Sequence, residues 1–171
     1  MMWVPRAVST RWMRAIYRSL GFRYYYSVRE AVGATAQFYA STKRTLFIVS
    51  GELAADVWAA SPVVEALVCL TRHTEPVTIE IVLGPPSSAD PRVLGFLGAL
   101  ARQGSLSLYT LNSRPALHFA VADARHVKVE DPHEAKAQQR TGYVAYNVPW
   151  LAALLGRSYR FAKQRARPFA A

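Results

Sequence analysis

The chain has 171 residues, 51% of them apolar, and a formal net charge of +10. That length suits one domain with room for a core, and the apolar share is too high for a disordered chain. The single cysteine, Cys69, excludes an internal disulfide and a cysteine-cluster metal site. Its place in the apolar run VVEALVCL predicts a buried thiol. No apolar run reaches the roughly 18 residues of a membrane span. The arginine-studded start has no secretory apolar segment, which favours an intracellular, cytoplasmic protein.

The positive charge sits at the two ends. Before Glu30 there are six arginines and no acid; from Leu151 onward there are five basic residues and again no acid. The middle of the chain holds 10 basic and 11 acidic residues and is nearly neutral. Cationic ends on a neutral centre point to a polyanionic partner: RNA, DNA or an acidic membrane surface; a place in a larger protein assembly is also open. The plainer reading is a solvated surface that keeps the protein soluble.

Residues 1–26 form a basic N-terminal segment. Val8, Trp12, Ile16 and Leu20 recur every four residues, and Arg11, Arg14 and Arg18 fall on a second stripe. This spacing predicts a basic amphipathic helix that stops at Gly21. Three uses are open: docking on its own domain, contact with a polyanion or a membrane surface through residues 3–20, and organelle targeting. Tyr24, Tyr25 and Tyr26 follow as a β-prone or core-filling aromatic run.

A domain is predicted over residues 27–163. Ser27 and Glu30 have capping-box spacing for a helix over residues 27–42. Residues 45–50 (TLFIVS) read as a strand buried on both faces. A helix over residues 56–71 is interrupted at Pro62, with Ser61 as the new cap. Residues 77–83 (VTIEIVL) give the next strand, closed by Gly84-Pro85-Pro86. Asp90 caps a helix over 91–103, and residues 105–110 give a third strand. Strand–helix–strand–helix–strand order demands parallel pairing. Residues 117–122 and 125–130 then form a hairpin across Asp123-Ala124, residues 141–146 form another strand, and a last helix runs from Pro149 to about Lys163. Residues 164–171 are a basic tail.

The hairpin region holds the best candidates for chemistry. Period two sets Leu117, Phe119 and Val121 on one face, with His118 beside the small Ala120 and Ala122 on the other. His118, His126 and His133 lie within residues 114–133, together with Asp123, Glu130 and Asp131. His118, Asp123 and Glu130 are the candidate acid–base or nucleophilic groups. Arg114 and Lys128 are the cations placed to hold a phosphate. A mixed site of His118, Glu130 and His133 lacks the spacing of a metal centre, so neither metal nor cofactor is expected.

This order resembles one half of the phospholipase D fold, over roughly residues 27–163. The likeness rests on Ser50-Gly51-Glu52-Leu53 at a strand end and on the Gly84-Pro85 turn. It rests also on Arg114-Pro115 before a histidine-bearing strand. The resemblance implies an α/β domain with a mixed, mainly parallel central sheet and helices on both faces. Active members of that family carry H-x-K-x-x-x-x-D, in which histidine attacks phosphorus, lysine neutralises its oxygens and aspartate orients the histidine. Aligned on His118, the lysine position is Ala120 and the aspartate position is Arg125. Aligned on Asp123, the histidine position is Ala116. The chain is therefore similar to degenerate members that keep the fold as a binding or structural module.

Three functions follow as expectations. The first is a non-catalytic module for nucleic acid or another phosphate-rich partner, held by Arg11, Arg14, Arg18, Arg157, Arg160, Lys163 and Arg165. The second is a homodimeric phosphodiesterase or nuclease using His118. The third is a peripheral membrane protein anchored by its N-terminal helix.

Overall fold

The computed structural model describes residues 21–131 and 140–169. In chain order the elements are β1 (Phe22–Tyr25), α1 (Val28–Ala40), β2 (Thr45–Ser50), α2 (Ala55–Trp58), α3 (Ser61–Thr71), β3 (Thr78–Leu83), a 3-10 turn (Pro86–Ser88) and α4 (Pro91–Arg102). They continue with β4 (Ser107–Thr110), β5 (His118–Ala122), β6 (His126–Glu130), β7 (Gly142–Ala145), α5 (Pro149–Arg165) and β8 (Arg167–Pro168).

Local chemistry sets the boundaries. Ser27 caps α1 by accepting from the Glu30 amide, and the Glu30 carboxylate accepts in turn from the amide of Tyr26, at 2.8 Å. Two amide donors that helix geometry would strand are thereby satisfied. Asp90 accepts from the amides of Arg92 and Val93, and Pro91 opens α4. Pro62 divides the predicted 56–71 helix as its ring requires. The restart falls one residue earlier than expected, with Ala60 at the cap position and Ser61 already inside α3.

The eight strands make one sheet in the order β1-β7-β6-β5-β2-β3-β4-β8. Parallel pairing is confined to β2, β3 and β4; the other pairings are antiparallel. The sheet is thus mixed as expected, but its parallel part is narrower than the resemblance implied. Short loops such as Asp123-Ala124 can only join antiparallel neighbours. The loop between the paired Ala122 and His126 is Asp123-Ala124-Arg125, and its first two residues have positive φ, 53° and 54°, the backbone tight hairpin turns use.

Helices cover both faces. α1 to α4 pack on one face against Leu46, Ile48, Ile81, Ala120 and Val144, and α5 packs on the other against Val49, Val82, Phe119, Val121 and Val129. Strand β5 is buried along its whole length, so period two here divides one core from another and not core from water. Cys69 corrects an expectation: it is exposed. α3 buries Val63, Leu67 and Leu70, one stripe at i, i+4 and i+7, and Cys69 lies off that stripe. The predicted N-terminal helix, with Arg11, Arg14 and Arg18, lies outside the described residues, as does His133.

Candidate functional site

The site grows out of the sheet register. Tyr25, Gly142, Glu130 and His118 are successive cross-strand partners on β1, β7, β6 and β5. They form one row on the face covered by α1 to α4. The next row holds Val144, Lys128, Ala120 and Ile48. Direct partners have Cβ atoms about 5 Å apart. The hairpin therefore delivers His118 opposite Glu130 and Ala120 opposite Lys128. The residue two beyond His118 is alanine, yet an ammonium reaches the same face from the neighbouring strand.

Two glycines make the close contacts possible. A Cβ at Gly142 would collide with the Tyr25 hydroxyl and the Val129 carbonyl. The bare backbone lets the Tyr25 hydroxyl cross β7 and donate to Glu130 Oε2 at 3.4 Å. Gly51 lies at the end of β2, where a Cβ would stand 2.5 Å from His118 Nε2. The Ser50-Gly51-Glu52 turn is thus shaped around the imidazole.

Around these residues lies a pocket of about 480 Å³, counting the solvent at its mouth. Tyr39 and Thr35 of α1, Val57 and Trp58 of α2, and the strand residues His118 and Lys128 form much of its wall. His118 is only 7% exposed. Burial, with the charges of Lys128, Arg114 and Arg140, lowers its pKa from 6.5, and Glu130 opposes the shift only in part. The imidazole is neutral at pH 7, the state a nucleophile or general base requires.

The cations are all spoken for. Lys128 Nζ donates to Glu130 Oε2 at 2.6 Å. Burial works against both charges. The neighbouring Tyr25 and Glu130 nevertheless raise the lysine's pKa. Lys128, His118 and Arg140 lower that of Glu130. The pair therefore stays ionised. Arg140 is fully buried and forks onto Asp56 of α2, at 2.8 and 3.0 Å from one nitrogen. Arg114, half exposed at the rim, pairs with the buried carboxylate of Glu52. Burial first, then Glu130, pushes the Tyr25 hydroxyl up to about 12, against the opposing pull of Lys128, so it remains a donor.

The structure thus brings together His118, Glu130, Lys128 and Arg114 from the sequence-derived set. Asp123 does not join them. It occupies the hairpin turn at the other end of β5, about 17 Å along the strand from His118 at 3.3 Å per residue. Its carboxylate accepts from the amides of Lys43, Arg44 and Thr45 at 2.8 to 3.0 Å, which pins the start of β2. Partial burial pushes its pKa up, and those three bonds outweigh it and hold the group below its usual range. Arg157, Arg160 and Arg165 lie on α5, on the opposite face of the sheet, and are exposed. Lys163 is on the same helix but gives its charge to Glu80, 2.8 Å from both oxygens.

Tyr25, Glu52, Asp56 and Arg140 were not singled out as site residues from the sequence. Only Glu52 had a local signal, in the Ser-Gly-Glu-Leu turn. The others join through partners tens of residues away. Among the described residues no group of three histidine, cysteine, aspartate or glutamate side chains is placed to hold a metal ion.

No protein-family model and no curated protein sequence matches the chain. Solved structures do. Nuc from Salmonella typhimurium, a phospholipase D family member, superposes with a TM-score of 0.66 over 88% of this chain and 98% of its own, at 17% identity. NucT from Helicobacter pylori matches with a TM-score of 0.61 over 86% of this chain and 99% of its own, at 11% identity. The fold is phospholipase D-like. TrmBL2, an archaeal chromatin protein whose structure shows a mode of DNA binding, matches with a TM-score of 0.64 at 13% identity. That match covers 86% of this chain and 54% of TrmBL2.

Proposed function

We propose that this protein is a non-hydrolysing phospholipase D-like module that binds nucleic acid or another phosphate-rich partner. One observation carries the reading: the two buried cations around His118 are each held by a carboxylate, Lys128 by Glu130 and Arg140 by Asp56. An imidazole that attacks phosphorus needs the phosphate oxygens held by spare positive charge. A phosphodiester entering this pocket would have to displace the buried carboxylate of Glu130 from Lys128 and leave it unpaired, at a cost of roughly 3–5 kcal/mol. The lysine position beside the histidine is Ala120, and the lysine that replaces it in space is already engaged. The exposed arginines of α5 carry no such carboxylates among the described residues, and they supply the phosphate-binding surface. Arg11, Arg14 and Arg18 of the basic N-terminal segment are further candidate phosphate contacts. The fold shared with a DNA-binding chromatin protein supports nucleic acid as the partner.

The test is turnover of bis-p-nitrophenyl phosphate by the protein and its His118→Ala variant, with and without divalent metal. This is paired with binding of a labelled oligonucleotide across a salt series. The expected result is no turnover by either protein and an affinity that falls steeply with salt. Turnover that disappears with His118 would overturn the reading.

A second reading, a homodimeric phosphodiesterase using His118, is favoured by the placement of Lys128 opposite Ala120 and of Glu130 opposite His118. On that reading the lysine has moved to the neighbouring strand without leaving the site. It predicts turnover that is lost on Lys128→Ala as well as on His118→Ala.

A further inference from the structure

Helix α5 has two faces of different chemistry. Leu151, Ala152, Leu155 and Tyr159 are buried against the sheet. Trp150, Leu154, Arg157, Phe161 and Arg165 follow at i, i+4, i+7, i+11 and i+15, which places them within one narrow stripe along the helix. Trp150 is 65% exposed and Phe161 55%. Both rings therefore face solvent on the side of the helix that carries the arginines. The guanidinium of Arg165 sits 3.9 Å from the centre of the Phe161 ring, and Arg160 is exposed on the flank of the stripe.

The helix contains no aspartate or glutamate. Among the described residues, the carboxylate that reaches it is Glu80 of β3, which is consumed by Lys163 and Tyr159 on the helix's other side. Arg157, Arg160 and Arg165 have no carboxylate at ion-pair distance among the described residues. The stripe therefore alternates apolar rings with uncompensated guanidinium groups. Trp150 and Phe161 stand about 17 Å apart along the axis at 1.5 Å per residue.

We propose that this stripe is a binding platform for single-stranded nucleic acid, with Trp150 and Phe161 stacking on unpaired bases and Arg157, Arg160 and Arg165 holding the phosphates between them. It rests on the reading of the protein as a phosphate-binding module and names the partner. Guanidinium groups alone would serve any polyanion, whereas the two exposed rings call for a ligand with flat, apolar faces. Unpaired bases offer such faces and a duplex hides them. An acidic bilayer fits less well. A helix lying in a membrane buries a continuous apolar face, and the continuous apolar face of α5 is already sealed against the sheet. An acidic peptide would meet the arginines but leave both rings idle.

The test uses the full-length chain and fluorescence anisotropy with three probes: a labelled oligothymidylate, a duplex of equal length, and heparin as a competitor without bases. Phosphatidylserine–phosphatidylcholine vesicles form a separate arm. The variants are Trp150→Ala/Phe161→Ala and Arg157→Gln/Arg160→Gln/Arg165→Gln, both on exposed positions, with circular dichroism melts to verify that the fold survives. The single strand is expected to bind more tightly than the duplex. Removing each ring is expected to weaken it about tenfold while duplex and heparin binding hold. The arginine variant is expected to weaken all three and to flatten the salt dependence by about 0.7 in log–log slope per lost phosphate contact. If the ring variant leaves single-strand affinity unchanged while the arginine variant lowers it, the stacking platform is overturned and the phosphate-binding reading stands. If neither variant alters binding, or no probe binds, both are overturned. Vesicle binding that exceeds oligonucleotide binding and is lost with the rings would overturn the platform in favour of a membrane contact.

Discussion

The buried pocket on one face of the sheet and helix α5 on the other use charge in opposite ways. Around the pocket, Lys128, Arg140 and His118 are buried, and each of the two cations faces a carboxylate within the protein. On α5, Arg157, Arg160 and Arg165 are exposed and have no carboxylate at ion-pair distance among the described residues. A buried cation must be compensated at once, because leaving it unpaired in a low-dielectric interior costs more than any later ligand is sure to return. An exposed arginine is compensated by water and counterions, which a polyanion displaces with a gain in entropy. Location therefore decides which charges belong to the fold and which are free for a partner. Neither net charge nor a count of basic residues makes that distinction.

The largest way to break the comparison is to unbalance the buried pair. Lys128→Ala leaves Glu130 ionised without its 2.6 Å partner and is expected to cost roughly 3–5 kcal/mol in urea unfolding. Lys128→Met/Glu130→Gln, which removes both charges, is expected to recover most of that loss. A Lys128→Ala variant as stable as the parent would show that the pair is not part of the structural ledger. Gly51→Ala comes next. Its Cβ meets His118 Nε2 and the Arg114 side chain, and overpacking of this kind costs about 1–3 kcal/mol. Gly51→Ala/His118→Ala is expected to regain part of it, because the ring is what the methyl group strikes.

The pH dependence sharpens the same point. The folded pKa of His118 lies below 6.5, with burial as the main cause and Lys128, Arg114 and Arg140 adding to it against Glu130. Between the folded value and 6.5 the unfolded chain binds the extra proton. The stabilisation from neutral His118 is thus fully present above pH 6.5 and is lost as pH falls towards the folded pKa. Melting temperature should decline over that window, and His118→Gln should flatten the decline. The smallest stability effect is expected on the other face. Arg157→Gln and Arg160→Gln should each leave stability within about 0.5 kcal/mol while weakening oligonucleotide binding.

How far the sequence foretold this depends on the range of the signal. Period-two alternation made β5 and β6 legible, whereas the residue of β6 that faces His118 took the register, which pairs it with Glu130. Capping by Ser27 and Asp90 was legible because each motif closes within four residues. Asp123 illustrates the limit: five residues from His118 in sequence, it is far from it in space, because an extended strand separates its ends faster than any other element. Glu130, twelve residues away, is adjacent because the hairpin folds it back. Arg140, Asp56 and Tyr25 could not be placed at all without the register of β1 on β7 and the packing of α2. Cys69 failed for a related reason: an apolar run says that a helix is buried but not which of its sides. Trp150 and Phe161 were not singled out in the sequence, because only the inner stripe of α5 shows which of its apolar residues face solvent.

The most direct test of the two-faced account is oligonucleotide affinity measured side by side for Arg114→Gln, at the rim of the pocket, and Arg157→Gln/Arg160→Gln/Arg165→Gln, on α5. The account predicts that the first variant binds as the parent does and that the second loses most of its affinity and of its salt dependence. Loss of binding with Arg114→Gln, and retention with the α5 variant, would place the phosphate in the pocket and contradict it.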